Sequence, residues 1–199
     1  MPKQPAVELD PSAWRAYAGA DFPERSWAAE DGVLHALAGS PRLDLVSRLR
    51  YGDFELRFEW RVAPGGNSGV LYRVDESAAA AWQSGPEMQL LDDRMHPDGR
   101  TPQTSSGALY GVVPSRPKPP CRAGVFNTAR VLVLGGHVEH WLNGTRVMVC
   151  DLASEDFRSR VARSKFADFP QFARAPEGHL VLQHHGDEAW FRNLRVTLL

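Results

Sequence analysis

The stretch GPEMQLLDD, Gly85 to Asp93, sets Glu87, Gln89 and Asp92 among apolar residues. In a regular strand Glu87 and Gln89 share one face and Asp92 points to the other. A bulge between Leu90 and Asp92 would bring all three to one side. A buried carboxyl in such a set could move a proton; an exposed one would be a polar rim on a wet sheet face. Gln183 and His185 stand at strand spacing, so both can face a groove, with His185 able to titrate near neutrality. His140 and Trp141 alternate, so only one of them can face it. Arg73 has the parity of Leu71 at the end of a strand and could clamp an oxygen-rich ligand. Tyr110, in GALYG, joins an apolar body to a hydroxyl that needs a partner, which suits a sugar wall as well as a core. Trp82, in AAAAWQSG, could stack on a sugar face or cover the edge of the core.

Other chemistries fit less well. His137 with His140, and His184 with His185, form two close pairs, but strand neighbours point to opposite faces, so neither pair chelates a metal alone. A mixed set of Glu87, Asp92 and His185 could hold a divalent ion, and no cofactor is otherwise expected. The chain contains no Gly-x-Ser-x-Gly elbow, P-loop or dinucleotide fingerprint.

The elements that must carry these residues read as strands. DFELRFEWRV, Asp53 to Val62, alternates Phe54, Leu56, Phe58, Trp60 and Val62 against Glu55, Arg57, Glu59 and Arg61. That period of two predicts a half-buried strand with Trp60 in the core. PGGN (Pro64 to Asn67) is a turn leading into SGVLYRV. Gly135-Gly136 and Asn143-Gly144 predict two tight hairpin turns, the second of a type needing positive φ at both positions. HLVLQHH and AWFRNLRVTLL follow as strands. One helix is expected over Ser154 to Lys165, with Ser154 as its cap and Glu155 and Asp156 at the positive end of its dipole. The proline-rich Pro114 to Gly124 is loop. The pattern predicts an all-β sandwich or barrel.

Composition narrows the classes further. The 199 residues suit one domain spanning 1–199 as a sandwich. A net charge of −1 without a basic run argues against nucleic acid. No apolar run approaches the roughly 20 residues that span a bilayer. The start, MPKQPAVELDPSAW, has no apolar h-region, so the expected location is cytoplasmic, or secreted or periplasmic if a leader was removed. Two cysteines, Cys121 and Cys150, read as free thiols, with one bridge open in an oxidising compartment.

Six motifs in order, GNSGVLYR, PEMQLLDD, GALYG, HVEHWLNGTRV, SKFADFP and GHLVLQHHGDEAWFRNLRV, resemble the 3-keto-disaccharide hydrolase domain family. The likeness runs from about Trp14 to the C-terminus. It implies a concanavalin A-like jelly-roll sandwich of two antiparallel sheets, and a hydrolase acting on glycosides oxidised at C3. The Glu87-x-Gln89-x-x-Asp92 spacing also resembles the E-x-D-x-x-E motif of family 16 glycosidases. A retaining glycosidase needs two carboxyl groups about 5 Å apart, and here the middle acid is glutamine. The expected route is therefore elimination: a C3 ketone acidifies the C2 proton, a base removes it, the C1–O bond breaks, and water adds back. His185 or Glu87 is the candidate base. Arg73, Gln89 or a metal would steady the enolate, and Asp92 would orient the histidine or hold the metal. Tyr110, His140, Gln183 and Trp82 would bind substrate. The alternative is a non-catalytic carbohydrate-binding module of lectin type.

Overall fold

The computed structural model describes residues 5–199. Thirteen strands run in chain order among the described residues: β1 (Val7–Glu8), β2 (Trp14–Ala16), β3 (Trp27–Glu30), β4 (Val33–Ala36), β5 (Leu45–Tyr51), β6 (Phe54–Val62), β7 (Asn67–Val74), β8 (Glu87–Leu91), β9 (Asn127–Leu134), β10 (His137–Leu142), β11 (Thr145–Asp151), β12 (Gly178–Leu182) and β13 (Ala189–Leu198). They form two sheets. The larger has the order β11-β10-β9-β6-β13-β4-β3, with β1 beside β13; the smaller has the order β2-β5-β12-β7-β8. All the pairings are antiparallel. This is the concanavalin A-like jelly-roll sandwich, with a single α-helix among the described residues.

The alternation in the sequence becomes the layering of the molecule. Phe54, Leu56, Phe58, Trp60 and Val62 of β6 are all buried between the sheets, Trp60 to 1% exposure. The intervening charges face outward, where Glu55 pairs with Arg57 and with Arg130 of β9, both at 2.7 Å. Trp14, Trp27 and Tyr72 fill the same core. The Asn143-Gly144 turn has φ of 45° and 80°, the positive values its hairpin geometry demands.

The helix is shorter than its sequence signal. α1 spans Glu155–Ala162, and Ser154 Oγ accepts the Phe157 N–H at 3.1 Å. The chain leaves the helix at Arg163 and re-forms one 3-10 turn over Lys165–Asp168, capped by Ser164 Oγ. Lys165 therefore starts a new turn instead of closing the helix. Both cysteines are free. No described helix is long and apolar enough to cross a membrane.

Three expected site residues lie elsewhere. His140 is on β10 of the larger sheet and points into the core, fully buried. Its Nδ1–H donates to the Gly107 carbonyl at 3.0 Å, and Tyr72 O–H donates to Nε2 at 3.1 Å. Burial pushes its pKa down to about 4, so it stays a neutral bridge between the sheets. Its neighbour Trp141, half-buried on the other face, donates to Glu139 at 2.8 Å. Arg73 leaves the strand parity because its φ is +50°. Its guanidinium donates to the Gly52 and Gly135 carbonyls at 3.1 and 2.9 Å and to Asp53 Oδ1 at 3.0 Å, tying two hairpin turns together. Asp92 follows the end of β8, and no bulge turns it back. Its carboxylate accepts the N–H of Gly65 at 2.9 Å and of Arg94 at 3.0 Å, holding a turn.

Candidate active site

The smaller sheet supplies the floor of a cleft on its outer face. Strands β7 and β8 pair so that Gly69 lies opposite Gln89 and Leu71 opposite Glu87. Val70, Tyr72, Met88 and Leu90 turn inward to the core, which leaves Asn67, Gly69, Glu87 and Gln89 on the outside. The chain beyond β12 runs alongside: Gln183 N–H donates to the Gly69 carbonyl at 2.9 Å, and Ser68 Oγ–H donates to the Gln183 carbonyl at 2.8 Å. The free edge of β8 is closed by residues 107–110. There the Tyr110 N–H reaches the Glu87 carbonyl at 3.0 Å and the Gln89 N–H the Ala108 carbonyl at 3.1 Å. The resulting cleft holds about 220 Å³. Asn67, Glu87, Gln89 and Gln183 line its floor, and Trp82, Tyr110, Lys165 and His185 its walls.

Six of the nine residues singled out in the sequence thus meet in one cleft: Glu87, Gln89, His185, Gln183, Tyr110 and Trp82. Asp92, Arg73 and His140 do not. Without Asp92 the mixed Glu87–Asp92–His185 set is not assembled, and among the described residues no cluster of three His, Cys, Asp or Glu side chains is placed to hold a metal ion.

Glu87 is the most perturbed group in the cleft. Its carboxyl lies directly over Gly69, where a Cβ would overlap Oε1 and come within 2.8 Å of Cδ. With its amide nitrogen turned toward them, Gln89 donates to Glu87 Oε1 at 3.1 Å and to the Ser68 carbonyl at 3.2 Å. Burial pushes the Glu87 pKa up to about 8; the Lys165 charge pulls it down, while Asp44 and Asp98 push it further up. A carboxyl so placed holds its proton at neutral pH.

His185 moves the other way. Burial lowers its pKa; Asp187 and Asp98 oppose this, while His96 and Arg42 add to it. Its Nδ1 is 3.9 Å from Asp187 Oδ2, and Asp187 also accepts the Asn67 N–H at 3.0 Å. The adjacent His184 is a structural residue. Its Nε2 meets Ser40 Oγ at 3.0 Å, its Nδ1 accepts the Gly186 N–H at 3.1 Å, and its own N–H donates to Asp44 Oδ1 at 2.8 Å.

Two cleft residues escaped the sequence reading. Lys165 reaches in from the 3-10 turn, its ammonium 4.4 Å from the Tyr110 ring centroid and 5.5 Å from that of Trp82. These are cation–π distances. Tyr110 O–H is engaged with Asp98 at 3.1 Å, so its ring is what it offers the cleft. Trp82 is braced edge-on against Phe169 at 4.9 Å. The motif SKFADFP carried a signal for Lys165, a lone lysine behind a serine cap in an aromatic run. Asn67 shows in the sequence only as the last residue of the Pro64 to Asn67 turn.

A buried acid, a neutral imidazole, a cation and aromatic walls on one sheet of a jelly roll define a small-ligand site with groups able to give and take a proton. The chain belongs to the family of 3-keto-alpha-glucoside-1,2-lyase-like domains, whose model matches residues 8–197. It is similar to a protein of Bacteroides thetaiotaomicron named 3-keto-disaccharide hydrolase, with 31% identity over 94% of this chain and 75% of that protein. It is also similar to a Parabacteroides distasonis protein of known structure described as a candidate glycosyl hydrolase. There the TM-score is 0.86 at 30% identity, over 96% of this chain and 90% of that one. The laminarinase of Rhodothermus marinus shares the fold alone, with a TM-score of 0.57 at 11% identity over 98% of this chain and 96% of that one.

Proposed function

We propose that the protein is a glycoside-cleaving enzyme acting on sugars oxidised at C3, working by elimination and hydration. The observation that carries this reading is the opposite perturbation of two groups in one cleft: Glu87 held protonated and His185 held neutral. Titratable pairs pushed apart by their surroundings mark an acid and a base.

The assignment follows from those states. Neutral His185 is the base that takes the C2 proton, which the neighbouring ketone has made acidic. The electron pair forms an enolate, and the Lys165 ammonium, backed by Tyr110 and Trp82, offsets the charge on its oxygen. Collapse of the enolate expels the C1 oxygen, and protonated Glu87 gives that leaving group its proton. The product is an enone with a C1–C2 double bond. Water then adds to C1 as the carboxylate of Glu87 takes its proton, and C2 recovers a proton from the His185 imidazolium. Atoms and charges return to the starting state. Gln89 steadies the Glu87 carboxyl. Lys165 takes the cation role in place of Arg73, and Asp92 has no part in the chemistry.

A lectin needs hydrogen bonds and a platform, but no buried acid above a floor glycine. The position of Glu87 favours the enzyme. The cleft, smaller than the roughly 300–1,000 Å³ usual for larger ligands, suits one sugar ring.

The test is incubation with 3-keto-trehalose and a 3-keto-glucoside, following release of 3-ketoglucose with and without chelator. The expected result is release from the keto forms and little from the unoxidised sugars. Equal cleavage of the unoxidised sugars would overturn the mechanism.

A further inference from the structure

A second cavity, of about 170 Å³, lies between α1 and the segment that follows it. Its lining is apolar: Leu152, Phe157, Val161, Phe166, Phe169 and Phe172 all contribute. The chain leaves this gap for local reasons. Phe157 and Val161, four apart on α1, share the helix face that turns toward it. The helix then ends, and the 3-10 turn brings Phe166 onto Phe172, their rings stacked at 4.1 Å and 13°. Alanines at 162, 167 and 173 line the rest and are too small to fill it.

Interiors are close-packed, and few voids exceed a water molecule. An apolar cavity of roughly 150 Å³ stays dry and accepts a benzene-sized ring. The volume and lining here therefore suit one aromatic ring. The charged groups fix what that ring carries. Arg158 and Arg174 line the cavity, both exposed, and among the described residues no acidic side chain lines it. Arg158 donates one N–H to the Ala153 carbonyl at 2.5 Å, which leaves most of its guanidinium open. The Arg174 side chain makes no hydrogen bond or ion pair among the described residues. Two guanidinium groups with open N–H groups beside an apolar hole are complementary to a carboxylate on an apolar body.

We propose that this cavity is a second ligand site, taking a small aromatic carboxylate with its ring among the phenylalanines and its carboxylate between Arg158 and Arg174. The site stands behind the aromatic wall of the catalytic cleft. Phe169 lines the cavity and braces Trp82 edge-on at 4.9 Å, and Phe166 lines it while following Lys165 in the turn. An occupant therefore packs against the same turn that presents the cleft's cation.

The experiment measures binding of phenylacetate to the full chain by calorimetry, with acetate and benzyl alcohol as the two halves of the probe. Phenylacetate should bind the wild type, and each half should bind about 10- to 100-fold more weakly, the scale of a charge-assisted hydrogen bond or a buried ring. Arg158→Gln and Arg174→Gln should each weaken phenylacetate at least about fivefold while leaving benzyl alcohol unchanged. Both arginines are exposed, so these variants test binding and not folding. Lys165→Met separates this cavity from the cleft, where a lysine and aromatic rings also meet; it should leave phenylacetate affinity within about twofold. No binding of phenylacetate would overturn the proposal, as would acetate binding equally well or an affinity untouched by both arginine variants. Loss of phenylacetate binding in Lys165→Met would place the acid in the cleft and overturn it too. Failure to cleave 3-keto sugars would sink the elimination mechanism and leave this site standing, because its binding needs no turnover.

Discussion

The Glu87 carboxyl rests on the bare Cα of Gly69, on the strand beside it, so that any Cβ at Gly69 would overlap Oε1. The glycine is required by space and not by backbone angle, since its φ is not among the positive values. Gly69→Ala should therefore displace the Glu87 carboxyl and cut turnover of the 3-keto substrate by about a hundredfold, the scale of a misplacement near 1 Å. Steady-state kinetics would show this. Near-normal kcat would mean that the carboxyl position does not matter.

Removing either proton-transfer group should be equally telling. Glu87→Gln and His185→Ala should each lower kcat by at least about a hundredfold. Rates within tenfold of wild type for both would end the acid–base assignment.

The pH profile of kcat/KM should be a bell. It falls on the acid side as His185 takes a proton, below the ordinary histidine value of 6.5. It falls on the alkaline side as Glu87 loses its proton near 8. The Lys165 charge lowers the Glu87 pKa, so Lys165→Met should move the alkaline limb to higher pH and reduce kcat. A limb that stays in place in this variant would detach it from Glu87.

Glu87 should also cost stability. Its folded pKa, about 8, stands above the ordinary 4.5. The proton is then held more tightly in the folded state, so its contribution is fully present below about pH 4.5 and is lost as pH rises toward 8. Glu87→Gln keeps the shape without the titration. Its advantage over wild type in urea melts should grow from pH 5 to pH 8, reaching on the order of a few kcal/mol. A constant difference across that window would mean the carboxyl is not so perturbed.

Trp60, fully buried on β6, should be worth about 3–5 kcal/mol on truncation to alanine. Urea unfolding at neutral pH measures it, and a loss under about 1 kcal/mol would contradict its burial.

Much of this protein was legible in the chain alone. The period of two over Asp53 to Val62 determined which side of β6 became core, because successive side chains on a strand must part to opposite faces. Asn143-Gly144 determined a hairpin, because few other pairs accept positive φ twice. The same parity put Glu87 with Gln89, and Gln183 with His185. What parity could not decide was which sheet a strand joins and which of that sheet's faces is open. His140 had a usable parity, yet β10 lies in the larger sheet and that parity turns the imidazole into the core. Arg73 lost its parity to one residue at φ +50°, and Asp92 fell past the end of its strand into a turn. Lys165 and Asn67 became cleft residues only when segments nearly a hundred positions apart in the chain closed over one sheet. Local spacing fixes where a side chain points along its own strand. Which groups then face each other depends on burying the apolar side of every strand at once, and only the assembled sandwich decides that.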